Sequence, residues 1–203
     1  MNLSITQTLL AYRKVSAEDS GKLPVRIYGD SKFILHPKAK IFVKNGILRF
    51  NHTSRGSEPF VGLLEMLPNA TFNVNGNFRF YPGSHVIIGE NARLEVGSGY
   101  INRNCRIQCQ LGISIGFKVA ISENVTIWDS DFHKVKREGY TMAKPITIGN
   151  HVWIGTNVII LKGVEIGDNS IVAAGSVVTK DIPSNCMAAG NPARVIKRGT
   201  DWE

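Results

Sequence analysis

An isoleucine or valine recurs every sixth residue at Ile148, Ile154, Ile160, Ile166, Val172 and Val178. Four places after each stands a small or β-branched residue: Val152, Val158, Val164, Ser170, Ser176 and Ile182. A period of six is neither the 3.6 of a helix nor the simple 2 of a hairpin strand, so the chain is predicted to coil in short identical steps. Each step is a flat strand and a turn, with Gly149-Asn150 and Gly167-Asp168-Asn169 at corners because those residues tolerate positive φ. Successive coils then stack their strands in parallel and bury the apolar columns on one another. Burying one such side chain is worth about 1.5–3 kcal/mol, and a coil alone has nothing to pack against, so several must form together. A β-sandwich would need alternating polarity and wider, irregular spacing, which the run from Ile148 to Val178 lacks.

The step is already present at Ile88 and Leu94, resumes at Ile101 and Ile107, shifts phase, and continues at Ile115, Ile121 and Ile127. Such shifts predict bulged corners. Earlier, short β-rich runs are broken by Gly and Asn: Lys40 to Val43, Ile47 to Phe50, Thr71 to Val74 and Phe78 to Phe80. The expected organisation is one β-coil domain over 28–198, with irregular coils over 28–87 and regular coils over 88–183. A short arm or helix is expected over 1–27 and a tail over 184–203. Residues 55–68 break the β pattern, and Phe60, Val61, Leu63, Leu64 and Leu67 predict a helical turn or packed loop there.

Lys and Arg outnumber Asp and Glu by eight in 203 residues, which attracts anions: nucleic acid, acidic lipid, phosphorylated cofactors or acidic glycans. Charge alone does not choose among them. Cys105, Cys109 and Cys186 lack paired-ligand spacings, which argues against a disulfide framework or structural zinc and for small coil positions. No basic residue precedes the short apolar stretch Leu9-Leu10-Ala11, and no run reaches membrane-spanning length. A cytoplasmic protein without an integral membrane segment is expected, and a basic face leaves peripheral membrane contact open.

The segments Ile148 to Gly155, Ile166 to Ser170, Ala174 to Pro183 and Ala189-Gly190-Asn191-Pro192-Ala193-Arg194 resemble the hexapeptide-repeat acyltransferases. Within that family the chain is most similar to sugar O-acetyltransferases, of the galactoside and maltose types and those that decorate capsular and lipopolysaccharide glycans. The likeness is dense from Ile101 to Arg198 and thin before Tyr81. It implies an all-β fold, a left-handed parallel β-helix with an extruded loop, assembled as a homotrimer with active sites between coils. It further implies acetyl-CoA as acyl donor, a sugar or glycan acceptor, and neither a metal nor a nucleic-acid partner.

The repeat stops after Ile127 and restarts at Ile146, and the interruption, 128–145, contains Trp128-Asp129-Ser130-Asp131-Phe132-His133-Lys134. A polar loop extruded from a rigid scaffold is where function is normally carried. An imidazole titrating near neutrality can take the proton from an alcohol, a contribution of about 10²–10⁴ in rate, and the resemblance makes His133 that base. Asp131, with Asp129 as substitute, could accept the second imidazole N–H and set its tautomer, as could a backbone carbonyl. The resemblance assigns the oxyanion donor to the main-chain N–H of Thr156, after Trp-Ile-Gly. It runs the pantetheine arm past Ala174, with Thr179 and Lys180 farther along, and sets Arg194 and Lys197 near the phosphates, a task suited to cations. Asn102 matches a sugar-binding position, with an inward asparagine ladder as the alternative, and Trp153 either walls the site or packs between subunits. Gln110 stands where galactoside acetyltransferases carry an acidic sugar contact, which favours an acceptor from glycan biosynthesis over galactoside itself. The expected activity is direct acetyl transfer from acetyl-CoA to a sugar hydroxyl. N-acetylation of an amino sugar is the nearest alternative. A metal-dependent hydratase, which needs a converging histidine trio that His85, His133 and His151 do not provide, and a non-catalytic glycan-binding scaffold lie further off.

Overall fold

A computed structural model describes residues 15–18, 24–53 and 59–203. The described chain winds as a triangular prism whose three faces are sheets. Face one holds Val15–Glu18, Lys40–Lys44, Thr71–Val74, Arg93–Val96, Gly112–Ile115, Ile146–Ile148 and Glu165–Ile166. The second face holds Val25–Ile27, Leu48–Phe50, Phe78–Phe80, Gly99–Ile101, Val119–Ile121, Trp153–Ile154, Ile171–Val172, Cys186–Gly190 and Ala193–Arg198. On the third lie Ser31–Leu35, Gly62–Met66, His85–Ile88, Arg106–Cys109, Thr126–Trp128, Ile159–Leu161 and Val177–Val178. Every third strand therefore pairs in parallel, as in Ile148↔Ile166, Ile154↔Val172 and Ile160↔Val178.

The predicted columns line the interior: Ile148, Ile154, Ile160, Ile166, Val172 and Val178 are buried, as are Val152, Val158, Val164, Ser170, Ser176 and Ile182. Cys105, Cys109 and Cys186 are free and buried in the same columns. Burial pushes the Cys105 thiol up to about 12. At the amino-terminal end the strands lengthen, to five residues in Ser31–Leu35, Lys40–Lys44 and Gly62–Met66, and the coils widen. Phenylalanines fill the added width: Phe33 meets Phe50 edge-on at 5.1 Å, and Phe50 lies 5.3 Å from Phe80.

Asparagine serves many corners, with positive φ at Asn69, Asn91, Asn104, Asn124, Asn157, Asn169 and Asn185. Its amide also bonds between coils, Asn69 Nδ2 to Asn91 Oδ1 and Asn169 Nδ2 to Asn185 Oδ1, both at 3.0 Å. The corner between the first and second faces also carries a column of glycines. A methyl on Gly97 would stand 2.6 Å from the Gly116 carbonyl oxygen, and one on Gly116 2.6 Å from that of Gly149, so the coils close only without side chains.

Several boundaries differ from the sequence reading. Val15–Glu18 and Val25–Ile27 are strands of the prism, where an arm or helix was expected; the rest of that arm lies outside the described residues. Within 55–68, Gly62–Met66 is a strand with Leu64 and Met66 inward, so period two wins over the expected helical turn; residues 54–58 lie outside the described residues. The irregular coils over 28–87 stack in continuous register onto the regular ones. The tail is a hairpin, Cys186–Gly190 and Ala193–Arg198, that extends the second face.

Candidate functional site

The extruded loop leaves the third face after Trp128 and rejoins the first at Ile146. Its neck is a short antiparallel ladder: Ser130 bridges Ala143, Asp131 N–H donates to Met142 O at 3.0 Å, and Lys144 N–H donates to Asp129 O at 2.9 Å. Asp129 is fully buried beneath it. Its carboxylate accepts the main-chain N–H of Gln110 (2.7 Å), Leu111 (2.8 Å) and Gly112 (2.8 Å). Burial pushes this carboxyl above its ordinary value, against the opposing pull of the three amide donors. Asp129 is thus an anchor for the loop, not a spare partner for His133. Gln110 enters through its backbone.

Asp131 is also engaged elsewhere. Lys162 Nζ donates to Asp131 Oδ2 at 2.5 Å and to the carbonyls of Thr141 (2.6 Å) and Met142 (3.3 Å). The Tyr140 hydroxyl lies 2.6 Å from Asp131 Oδ2 and 2.8 Å from the carbonyl oxygen of His133, its one proton shared between two acceptors. Lys162 Nζ also sits 4.3 Å from the centre of the Tyr140 ring. The expected Asp131 to imidazole contact is replaced by a clamp that holds the loop, and through Tyr140 the main chain of His133. The Lys162 and Tyr140 hydrogen bonds, in that order, hold the Asp131 carboxyl below the usual carboxylate range. The His133 side chain stands exposed.

Asn102, Trp153, Thr156 and Ala174 gather on the second face and its corner with the third. Trp153 projects outward, 41 % exposed, and its Nε1 donates to Ser122 Oγ at 3.3 Å. Asn102 Oδ1 accepts from its neighbour Arg103, at 2.9 Å from the main-chain N–H, while its Nδ2 has no partner among the described residues. The Thr156 carbonyl accepts Gly175 N–H at 2.8 Å, and the Thr156 N–H makes no bond among the described residues. A main-chain donor left unspent is what an oxyanion site requires. Arg194 and Lys197 lie exposed on the terminal hairpin of the same face. Thr179 and Lys180 do not join them: they follow Val177–Val178 on the corner between the third and first faces, the edge from which the loop departs.

Within one chain, therefore, the His133 loop and the Asn102, Trp153 and Thr156 group occupy different edges of the prism, and no contact joins them among the described residues. His151, which forms no metal trio with His85 and His133 in the sequence reading, is stacked on Trp202 at 4.5 Å, and Trp202 Nε1 donates to the His151 carbonyl at 2.8 Å. Trp202 also reaches to 6.2 Å from Trp153, so the carboxyl-terminal residues border that side chain. Lys162, Tyr140 and Trp202 escaped the sequence reading. Lys162 alone left a signal, as a cation one coil beyond the loop root, where Leu161 registers with Trp128.

Comparison with known proteins adds to this geometry. A family profile described as bacterial transferase hexapeptide (six repeats) matches residues 145–180. The galactoside O-acetyltransferase of Escherichia coli K12 is 45% identical over 125 residues, which cover 60% of this chain and 58% of that protein. A putative acetyltransferase of Saccharomyces cerevisiae is 41% identical over 143 residues, 68% of this chain and 69% of its own. Among solved structures, a galactoside acetyltransferase in complex with coenzyme A is 44% identical with a TM-score of 0.51, covering 59% of this chain and 60% of that one. The polySia-specific acetyltransferase NeuO is 25% identical with a TM-score of 0.57, covering 94% and 89%. The fold is the all-β, left-handed parallel β-helix that the family resemblance implies.

Proposed function

Because the chain belongs to the hexapeptide-repeat transferase family, we propose that it transfers an acetyl group from acetyl-CoA to a sugar hydroxyl, in the assembly of a capsular, exopolysaccharide or lipopolysaccharide glycan in the cytoplasm. The observation that carries this reading is the Trp153-Ile154-Gly155-Thr156 corner, whose Thr156 N–H is unspent among the described residues, on the edge that also carries Asn102 two coils away.

In the reaction, His133 removes the proton from the acceptor hydroxyl as its oxygen attacks the thioester carbonyl. The Thr156 N–H donates to the oxyanion that forms. The carbon–sulfur bond then breaks, the sugar leaves as its acetyl ester, and CoA departs as a thiol with the proton that His133 carried. Asn102 Nδ2 donates to the sugar and Trp153 walls it. The pantetheine arm follows the Thr156 and Ala174 corners towards Arg194 and Lys197, whose charges receive the phosphates. Thr179 and Lys180, being on the loop's edge, serve a neighbouring copy's cofactor. The separation of base and oxyanion donor in one chain supports a homotrimer in which one copy's loop faces the next copy's second face.

Incubation with acetyl-CoA and a panel of sugars should give a product that hydroxylamine cleaves, the mark of an ester. A hydroxylamine-stable product formed only with amino sugars would replace this reading by N-acetylation.

A further inference from the structure

The outward positions of the second face form one straight column, Arg26↔Arg49↔Arg79↔Tyr100↔Ala120↔Trp153. Three arginines stand on consecutive rungs, about 4.8 Å apart, where like charges directly opposite destabilise a sheet. None of the three has a carboxylate partner among the described residues. A second column runs beside the first along the corner, through Tyr28, His52, Tyr81 and Asn102. Its rings touch in sequence: Tyr28 to His52 at 4.8 Å, His52 to Tyr81 at 6.5 Å, and Tyr81 to Tyr100 at 6.1 Å. Arg79 lies over Tyr81 at 5.7 Å, and its Nη1 donates to the Tyr81 hydroxyl at 3.0 Å. Arg79 Nε and His52 Nδ1 are buried and have no partner among the described residues. The cost of this arrangement is offset when an anion lies across it.

The aromatic column ends at Asn102, and the arginine column reaches Trp153 across the small, buried Ala120. From Trp153 to Arg26 there are five rungs, roughly 24 Å, far beyond one monosaccharide. A nucleotide diphosphate would engage two of the arginines and leave the third. A polymer that repeats its charge suits all three, and the exposed Tyr100 and Trp153 faces, each 41 % exposed, suit the C–H faces of its sugars. We propose that this strip is the track of an extended acidic glycan, whose carboxylates meet Arg26, Arg49 and Arg79 while its acceptor residue lies at Asn102 and Trp153. The track rests on the acetyl-transfer reading only for what happens at that last position.

The test is direct binding, without turnover, of the full-length protein to an array of carboxylate-bearing and neutral bacterial oligosaccharides, with a size-matched DNA oligonucleotide as a competing polyanion. Wild-type protein should retain acidic oligomers in preference to their carboxyl-reduced forms, to acidic monosaccharides and to the DNA. Arg49→Gln with Arg79→Gln should weaken that binding at least about tenfold with thermal unfolding not lowered, since the stacked like charges are relieved. No acidic preference, equal binding to DNA, or wild-type binding by the double variant would overturn the proposal. So would a variant that falls apart into monomers with glycan binding intact, which would make the arginines an interface between copies. A protein that binds acidic oligomers yet transfers no acetyl group would refute the acetyl-transfer reading and leave the track standing.

Discussion

Thr156 gives a sharp test at the scale of a residue, because its proposed contribution is an N–H and not a side chain. Thr156→Ala keeps that donor and should turn over acetyl-CoA nearly as wild type does. Thr156→Pro removes it while keeping the carbonyl that accepts Gly175 N–H, and should lower kcat about 10²–10³-fold. Equal turnover by the two variants would remove Thr156 from the mechanism. Asp131 is tested by pH. Lys162 first, and Tyr140 second, depress its carboxyl, so the folded chain binds fewer protons here than the unfolded chain. The clamp's contribution is therefore complete above the ordinary carboxylate pKa and is lost as the pH falls through the depressed value. Protection of the Asp131 amide in hydrogen exchange should follow that course in wild type, and Asp131→Asn should show the acid-state exchange already at neutral pH. Wild-type protection in the variant at neutral pH would contradict the clamp.

Corners and the loop neck carry the argument at the scale of elements. Gly116→Ala forces a methyl against the Gly149 carbonyl and should cost about 1–3 kcal/mol in urea unfolding. Gly112→Ala, whose methyl meets nothing closer than 3.8 Å, should be near neutral, and equal effects at both would deny that corner closure needs glycine. The regular coils were legible because Ile148 to Val178 repeats one six-residue step; the early coils were not, because five-residue strands such as Lys40–Lys44 and Gly62–Met66 break that spacing, and Phe50, Phe72 and Phe80 fill the interior there. The loop was legible as an interruption, and His133 within it. Its anchoring was not: Asp129 bonds Gln110 to Gly112, and Asp131 bonds Lys162, pairings between successive coils that linear order conceals. Proximity in sequence suggested Asp131 as the imidazole's partner, whereas a cation one coil away claims its charge.

For the whole molecule, the prism holds the proposed base, His133, on one edge and the proposed oxyanion donor, Thr156, on another. An assembly about a threefold axis would unite them between copies. His133→Ala and Thr156→Pro chains should each be nearly inactive alone. Refolded together in equal amounts they should recover about a quarter of wild-type activity, the share of shared sites that receive both intact groups. No recovery would mean that each chain completes its own site. The arginine column also gives part of the net positive charge a definite place, beyond a basic tail. The proposed chemistry turns on His133 acting as the base within a clamped loop. The most direct measurement is acetyl transfer from labelled acetyl-CoA by His133→Ala, alongside acetyl-CoA binding by calorimetry. Turnover should fall about 10²–10⁴-fold with donor binding retained; wild-type turnover by this variant would contradict the account.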